Sequence, residues 1–464
     1  MIRQRIRIWV AFIFLIVGCK GSQNQISLAT DSPCKENVLQ GYTDHTSYLA
    51  GEKMLVYVHS NSPQNCCLNI YDVLGRVVLR VRVNLFPQTM QSEKPWENGF
   101  GYRVSAEIKL PTKLASGFYT IENVIPFIVR SSAASDVTIV YPVNTINAYN
   151  PSGGKSLYRF NSTSDTAATA VSFLRPMTTT HGQDCCDQCL KWFPSLPSVK
   201  ANYLTDIDME NWSSFERTKI LIIIGHSEYW TLPARVNFDR FINKGGHGLI
   251  LSGNTMYWQA RYSKSNSVLT CYRDAAIDPE PNQSLKTVRW SDPTLRYPIL
   301  SSIGADFVHG GYGLKEDTVG DGTEIDDGWN GFKIVDPTSP LFEGLHFQKG
   351  EVLSLPTREY DGASIKGFDN DGYPILDNDK LKFERLELIG FDKGWRGKET
   401  IPTFIVMQKT KTSGIVINVA STDWCSSAGI GSIDSGNQIK IITRNAIVKL
   451  LHGQSLFSDH SESP

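Results

Sequence analysis

The segment GHSEYW, residues 225–230, sets a histidine, a glutamate and two large aromatics directly after the apolar run Ile220, Leu221, Ile222, Ile223, Ile224. On leaving a strand, residues two apart share a face, so His226 and Glu228 point into one space while Ser227 points away. A carboxylate and an imidazole can thus meet one substrate. The same pair at a strand end can also simply fix the helix that follows. Two further stretches bear on this choice: NAYNPSGGKSLY at 147–158 and GNTMYWQARY at 253–262. Tyr149, ahead of Gly153 and Gly154, can project a phenol on a turn whose glycines permit tight backbone approach. Tyrosine and tryptophan nevertheless pack more often than they react.

The elements that must position these groups are readable from apolar spacing. Apolar strands at 137–143 and 219–224 are separated by segments long enough for helices, an α/β pattern. After residue 230 a helix opens near Thr231 and Pro233, carries Ala234, Phe238 and Phe241 on one face, and stops at Gly245 and Gly246. The next strand, 247–251, ends at Ser252, completing a right-handed βαβ crossover. HSEYW and GNTMYW therefore leave the carboxyl ends of parallel strands, where open α/β sheets place their ligand crevices. A hairpin is expected at 402–407 and 414–420, and a C-terminal helix on Ile439, Ile442, Ala446 and Leu450, ended by Gly453. Residues 272–400, rich in Gly, Asp and Pro, read as long loops over the sheet. Within them DTVGDGTEIDDG, 317–328, lacks the alternating ligand series and closing glutamate of a calcium loop and reads as solvated turns.

Upstream, at about 37–135, the pattern has period two. Leu79, Val81 and Val83 alternate with arginines, and Val104, Ala106, Ile108 and Leu110 alternate with polar residues. These are half-buried antiparallel strands. The expected fold is an immunoglobulin-like β-sandwich followed, over 136–455, by a mostly parallel open-sheet α/β domain, with 456–464 a tail.

The first nineteen residues form an export signal: Arg3, Arg5 and Arg7 precede an apolar run too short for a span of about 20 residues. The Gly18-Cys19 ending resembles a bacterial lipobox. Cys19 is the expected lipidated N-terminus, residues 20–36 a tether, and the cell envelope outside the cytoplasm the expected location. Lys plus Arg number 46 against 47 Asp plus Glu, which removes the electrostatic case for nucleic acid. Beyond Cys19, the cysteines of an exported chain default to disulfides. HGQDCCDQC, 181–189, suggests a zinc set of His181, Cys185, Cys186 and Cys189. Adjacent cysteines rarely both reach one tetrahedral ion, so disulfides are favoured, with pairing open.

AYNPSGGKSLY, VSFLRP (171–176), YLTDIDME (203–210), GHSEYW and GNTMYWQAR, in this order, resemble the C-terminal domain of the large (beta) subunit of N,N-dimethylformamidase and its relatives. SYLAGEKMLVYV and SGFYT resemble the sandwich that precedes it. The resemblance spans most of the chain. It implies a mononuclear ferric iron held by two tyrosinates and one carboxylate, a histidine close by, and hydrolysis of a small amide. Carried over, Glu228 is the carboxylate ligand, Tyr149 one phenolate and His226 the nearby base. Tyr119 in SGFYT is the expected second phenolate, ahead of Tyr102. Ferric iron is a hard Lewis acid that favours anionic oxygen and makes phenolate accessible. Asn254 and Asn150 would orient the amide carbonyl or a water while His226 accepts and returns a proton.

The family enzyme works with a small partner subunit that this chain does not contain, and its large subunit carries further N-terminal sequence. A retained iron site acting on a different substrate, a small amide or another C–N bond, is therefore expected. The competing reading is a non-catalytic surface lipoprotein that binds a glycan or peptide through its sandwich and exposed aromatics; a third keeps the fold and binds zinc in the same pocket, which oxygen ligands allow but do not favour. Oligomeric state is left open.

Overall fold

The computed structural model describes residues 33–34, 39–179, 181–197, 199–263, 265–313 and 328–458. The expected signal with Cys19, residues 317–327 of DTVGDGTEIDDG and the expected tail from 459 lie outside the described residues. Within the expected tether, Cys34 is buried and bonded to Cys66, and Pro33 bridges Cys67, so the chain is already fastened there.

The period-two segments fold into two sheets. One runs Ser47–Leu49, Ile125–Arg130, Gly117–Ile121, Gln64–Asp72, Val77–Leu85 in spatial order; the other runs Gln40–Thr43, Lys53–His59, Ala106–Lys109. Alternation decides what each buries: Met54, Val56 and Val58 from the second sheet meet Leu68, Ile70, Tyr119 and Phe127 from the first in one shared core.

The following body is built on a nine-stranded sheet in the order Ala201–Thr205, Val137–Tyr141, Ile220–His226, His247–Gly253, Ile415–Asn418, Thr403–Gln408, Arg385–Phe391, Gly331–Ile334, Val352–Ser354. The first five are mutually parallel and the rest pair antiparallel. This corrects the expected mostly parallel sheet to a mixed one. The cause lies in 272–400, which supplies three of these strands as well as loops. These strands are short, three to seven residues, and their apolar residues are too interrupted to stand out from turns.

Strand Ile220–His226 is buried throughout because both of its faces are covered. Ile220, Ile222 and Ile224 pack with Ile439, Ile442, Ala446 and Leu450 of helix Gly436–Leu451. Leu221 and Ile223 pack with Ala234, Phe238 and Phe241 of helix Leu232–Asn243, whose N-cap Thr231 accepts from Ala234 N–H. The βαβ crossover and the 403–418 hairpin occur as expected. No helix among the described residues is long and apolar enough to cross a membrane.

Candidate active site

Strand Ile220–His226 ends against the CCDQC segment. A Cβ at Gly225 would stand 2.3 Å from Cys186 Sγ, and this glycine takes φ +74°, so the chain turns sharply just where the histidine emerges. Ser227 turns away and accepts the Trp230 indole N–H at 2.9 Å. Glu228 N–H donates to Thr145 Oγ1. His226 and Glu228 thus share one space, with Nε2 and Oε2 3.6 Å apart and each side chain 3 % exposed.

The phenols arrive from the other side. Helix Val143–Tyr149, buried at every position, delivers Tyr149, and the turn after it delivers Tyr158. Arg175 of VSFLRP holds that turn. Its buried guanidinium donates to the carbonyls of Asn147, Ser152, Lys155 and Ser172. YLTDIDME acts as scaffold too: Asp206 accepts the Asn144 N–H at the start of the helix, and Thr205 and Asp208 form a capping box. Tyr158 Oη lies 2.9 and 2.7 Å from the two oxygens of Glu228, and accepts from Tyr229 Oη at 2.9 Å. Tyr149 is sandwiched between the rings of Tyr158, at 3.9 Å, and His181, at 3.7 Å. Arg273 stacks on Tyr158 at 4.0 Å and donates to Tyr229 Oη.

A second carboxylate completes the cluster. Glu359, on strand Glu359–Gly362, places Oε2 3.3 Å from His226 Nε2 and accepts Asn254 Nδ2 at 2.8 Å. Burial alone would lower the His226 pKa, but Glu359 and Glu228 outweigh it and raise it. Burial raises Glu228 against the pull of His226, whereas at Glu359 His226 and Asn254 overcome burial and lower it. Burial, then the Glu228 charge, pushes Tyr149 and Tyr158 well above the ordinary phenol range. The neutral phenol is therefore favoured at both positions, even with Arg273 stacked on Tyr158.

The structure brings together Tyr149, His226, Glu228 and Asn254, and leaves two expected residues out. Tyr119 belongs to the N-terminal core, stacked on Phe127. Its hydroxyl donates at 2.8 Å to the carbonyl of Ala115, four residues upstream, a tyrosine-corner bond that occupies it. Asn150 is committed to a turn: it donates to Pro176 O and accepts from Ser152 N, Thr178 N and Thr178 Oγ1. Tyr158 stands where Tyr119 was expected, and it closes the very motif that Tyr149 opens. Glu359 carries no comparable sequence signal, since it comes from the stretch read as loops.

Cysteine pairing is also resolved. Cys34–Cys66 and Cys189–Cys425 are disulfides, while Cys67, Cys185, Cys186 and Cys271 are buried thiols. Bonding of Cys189 to Cys425 removes it from any zinc set. Among the described residues no group of three or more His, Cys, Asp or Glu is placed to hold a metal ion. The oxygen set that suits a hard cation is instead Tyr149, Tyr158 and Glu228, two phenols and a carboxylate in a buried cluster.

The architecture and the cluster together define a mixed α/β protein with a histidine–carboxylate–phenol site at the carboxyl ends of parallel strands. The chain belongs to the family described as N,N-dimethylformamidase beta subunit-like, C-terminal, whose profile matches residues 80–437. No curated protein matches the chain at a significant level.

Proposed function

We propose that the chain is an iron-dependent hydrolase of the C–N bond of a small amide. The observation that carries this reading is the convergence of two phenols and a carboxylate on one buried point, with His226 3.6 Å from that carboxylate, inside the region matched by the family. Tyr149, Tyr158 and Glu228 would hold ferric iron. When bound, the ion supplies Lewis acidity toward an amide carbonyl or a water and the positive charge that favours phenolate.

The remaining residues supply positioning and proton transfer. His226, between Glu228 and Glu359, takes the proton lost as water adds to the carbonyl and returns it to the departing amine. Glu359 and Asn254 fix the plane of that imidazole. Arg273 balances negative charge on the phenol side. Burial of the cluster strengthens each of these interactions. Overall, one amide and one water give one carboxylic acid and one amine.

In the same reading the protein is an exported lipoprotein held at the cell envelope by acylated Cys19. The N-terminal sheets, with Ser47–Leu49 running parallel to Ile125–Arg130 at one edge, form an immunoglobulin-like sandwich beside the site-bearing body.

Tyrosinate bound to ferric iron absorbs visible light by charge transfer. Protein expressed with added iron is expected to be coloured, to hold about one iron per chain, and to release amine from short amides. Colourless, metal-free protein without amidase activity would sink the reading. Radiolabelled palmitate incorporation, lost in Cys19→Ala, tests the anchor.

A further inference from the structure

Strand Val77–Leu85 closes one side of the five-stranded N-terminal sheet, so its outer edge carries no further strand of that sheet. Its inward residues Val83 and Leu85 are buried in the N-terminal core. Alternation sends Arg80, Arg82 and Asn84 outward, and the same parity carries Phe86, just past the strand, to that face. Phe86 is 58 % exposed. It lines an open groove with Pro87, Arg103 and Val104, and both Arg103 and Val104 are exposed. From Arg76 to Ser92 the chain carries arginines and no acid. Arginines alone would guard a sheet edge against pairing. A phenylalanine and a valine standing in water beside them do the opposite, so the mixture points to a partner that is both anionic and apolar.

The path of the chain shows where that partner lies. Pro33 bridges Cys67 and Cys34 is bonded to Cys66, while Cys67 stands opposite Arg82 and Cys66 opposite Val83. Phe86 lies three residues beyond Val83, about 10 Å along the strand. The leader therefore enters the fold beside this face. Residues 20–33 reach at most about 50 Å when fully extended, so an acylated Cys19 keeps this corner close to the bilayer. We propose that the face formed by Arg80, Arg82 and Phe86, with Arg103 and Val104, docks on the anionic phospholipid surface of the membrane that holds the acyl anchor. The guanidinium groups meet headgroup phosphates, and Phe86 and Val104 enter the headgroup layer. The proposal rests on the lipoprotein reading above and adds to it: the anchor limits distance, and this face sets orientation.

The experiment places the full chain, purified from membranes, in vesicles of phosphatidylglycerol and phosphatidylcholine whose acyl chains are brominated, which quench an indole that enters the bilayer. Phe86→Trp is the reporter, read as the difference from the natural chain. The added emission is expected to be quenched. Arg80→Gln with Arg103→Gln on the reporter background is expected to lower the ratio of docked to undocked protein about 30-fold, from about 5-fold for each arginine. Should Phe86→Trp not fold, Val104→Trp reports the same contact. A folded reporter without quenching overturns the proposal. So does quenching that is equal in vesicles of phosphatidylcholine alone, or unchanged by the arginine substitutions. A concentration-dependent doubling of mass without quenching assigns the edge to a second copy of the chain and overturns it too. Palmitate labelling keeps the two readings apart: labelled protein without quenching leaves the anchor standing, and quenching of unlabelled protein leaves the docking face standing without the anchor.

Discussion

Tyr158 shares its hydroxyl between both carboxylate oxygens of Glu228, at 2.9 and 2.7 Å, across 70 positions of sequence. On the proposed iron site, this contact puts Tyr158 forward as the second phenol beside Tyr149, while Tyr119 lies in the N-terminal core. In iron-loaded protein, Tyr158→Phe is expected to bleach the visible band and release the metal. Tyr119→Phe should keep the band and cost about 1 kcal/mol of unfolding free energy for the lost bond to Ala115. Absorbance spectra and urea titrations of the two variants decide it; an unchanged band in Tyr158→Phe rejects the assignment.

Glu359→Gln keeps shape and removes the closer of the two carboxylates that flank His226. The imidazole then loses the charge that most favours its protonated form. A fall in kcat of about 10²-fold at unchanged iron content is expected, in line with the usual contribution of general acid–base catalysis. Loss of iron in this variant would instead make Glu359 a ligand.

Arg175 serves four carbonyls through one planar fork, geometry that an ammonium cannot reproduce. Arg175→Lys should therefore lower the unfolding free energy by about 2–4 kcal/mol, because several buried carbonyls lose their donors. The midpoint of guanidinium unfolding reports this, and a shift worth under about 0.5 kcal/mol, the size of an ordinary surface substitution, would contradict it.

Asp206 gives a pH test of stability. Burial raises it to about 8, against about 3.9 in an unfolded chain. Between those values the folded protein keeps a proton that the unfolded chain has released. This contribution is fully present below about pH 4 and is lost as pH rises toward 8, by up to about 1.4 kcal/mol per pH unit. Asp206→Asn can still offer an oxygen to the Asn144 N–H and should flatten the slope. Unfolding free energies at pH 5 and 7.5 for both proteins provide the comparison; parallel slopes would show that Asp206 ionises normally.

Local periodicity carried much of the architecture. Alternation marked the N-terminal strands, the isoleucine run marked a strand covered on both faces, and the spacing of Ala234, Phe238 and Phe241 marked the crossover helix. It also placed His226 and Glu228 in one space, because side-chain direction at a strand end depends only on the neighbouring residues. Tyr149 was legible from the glycine-bearing motif around it, although the end of a helix, Val143–Tyr149, presents it where a turn was expected, and Asn254 was legible from the strand end that precedes it.

Which phenol faces Glu228, and which second carboxylate faces His226, were decided only in three dimensions. Tyr119 and Tyr158 look alike in sequence. One spends its hydroxyl on a carbonyl four residues away and the other reaches across 70 positions. Glu359 reaches the site from a separate four-stranded sheet built wholly within 311–400, with Tyr360 bridged to Ser421 just beyond strand Ile415–Asn418. Short-range pattern reports the direction in which a side chain leaves the backbone. The partner it meets depends on how distant segments pack, and no local spacing encodes that.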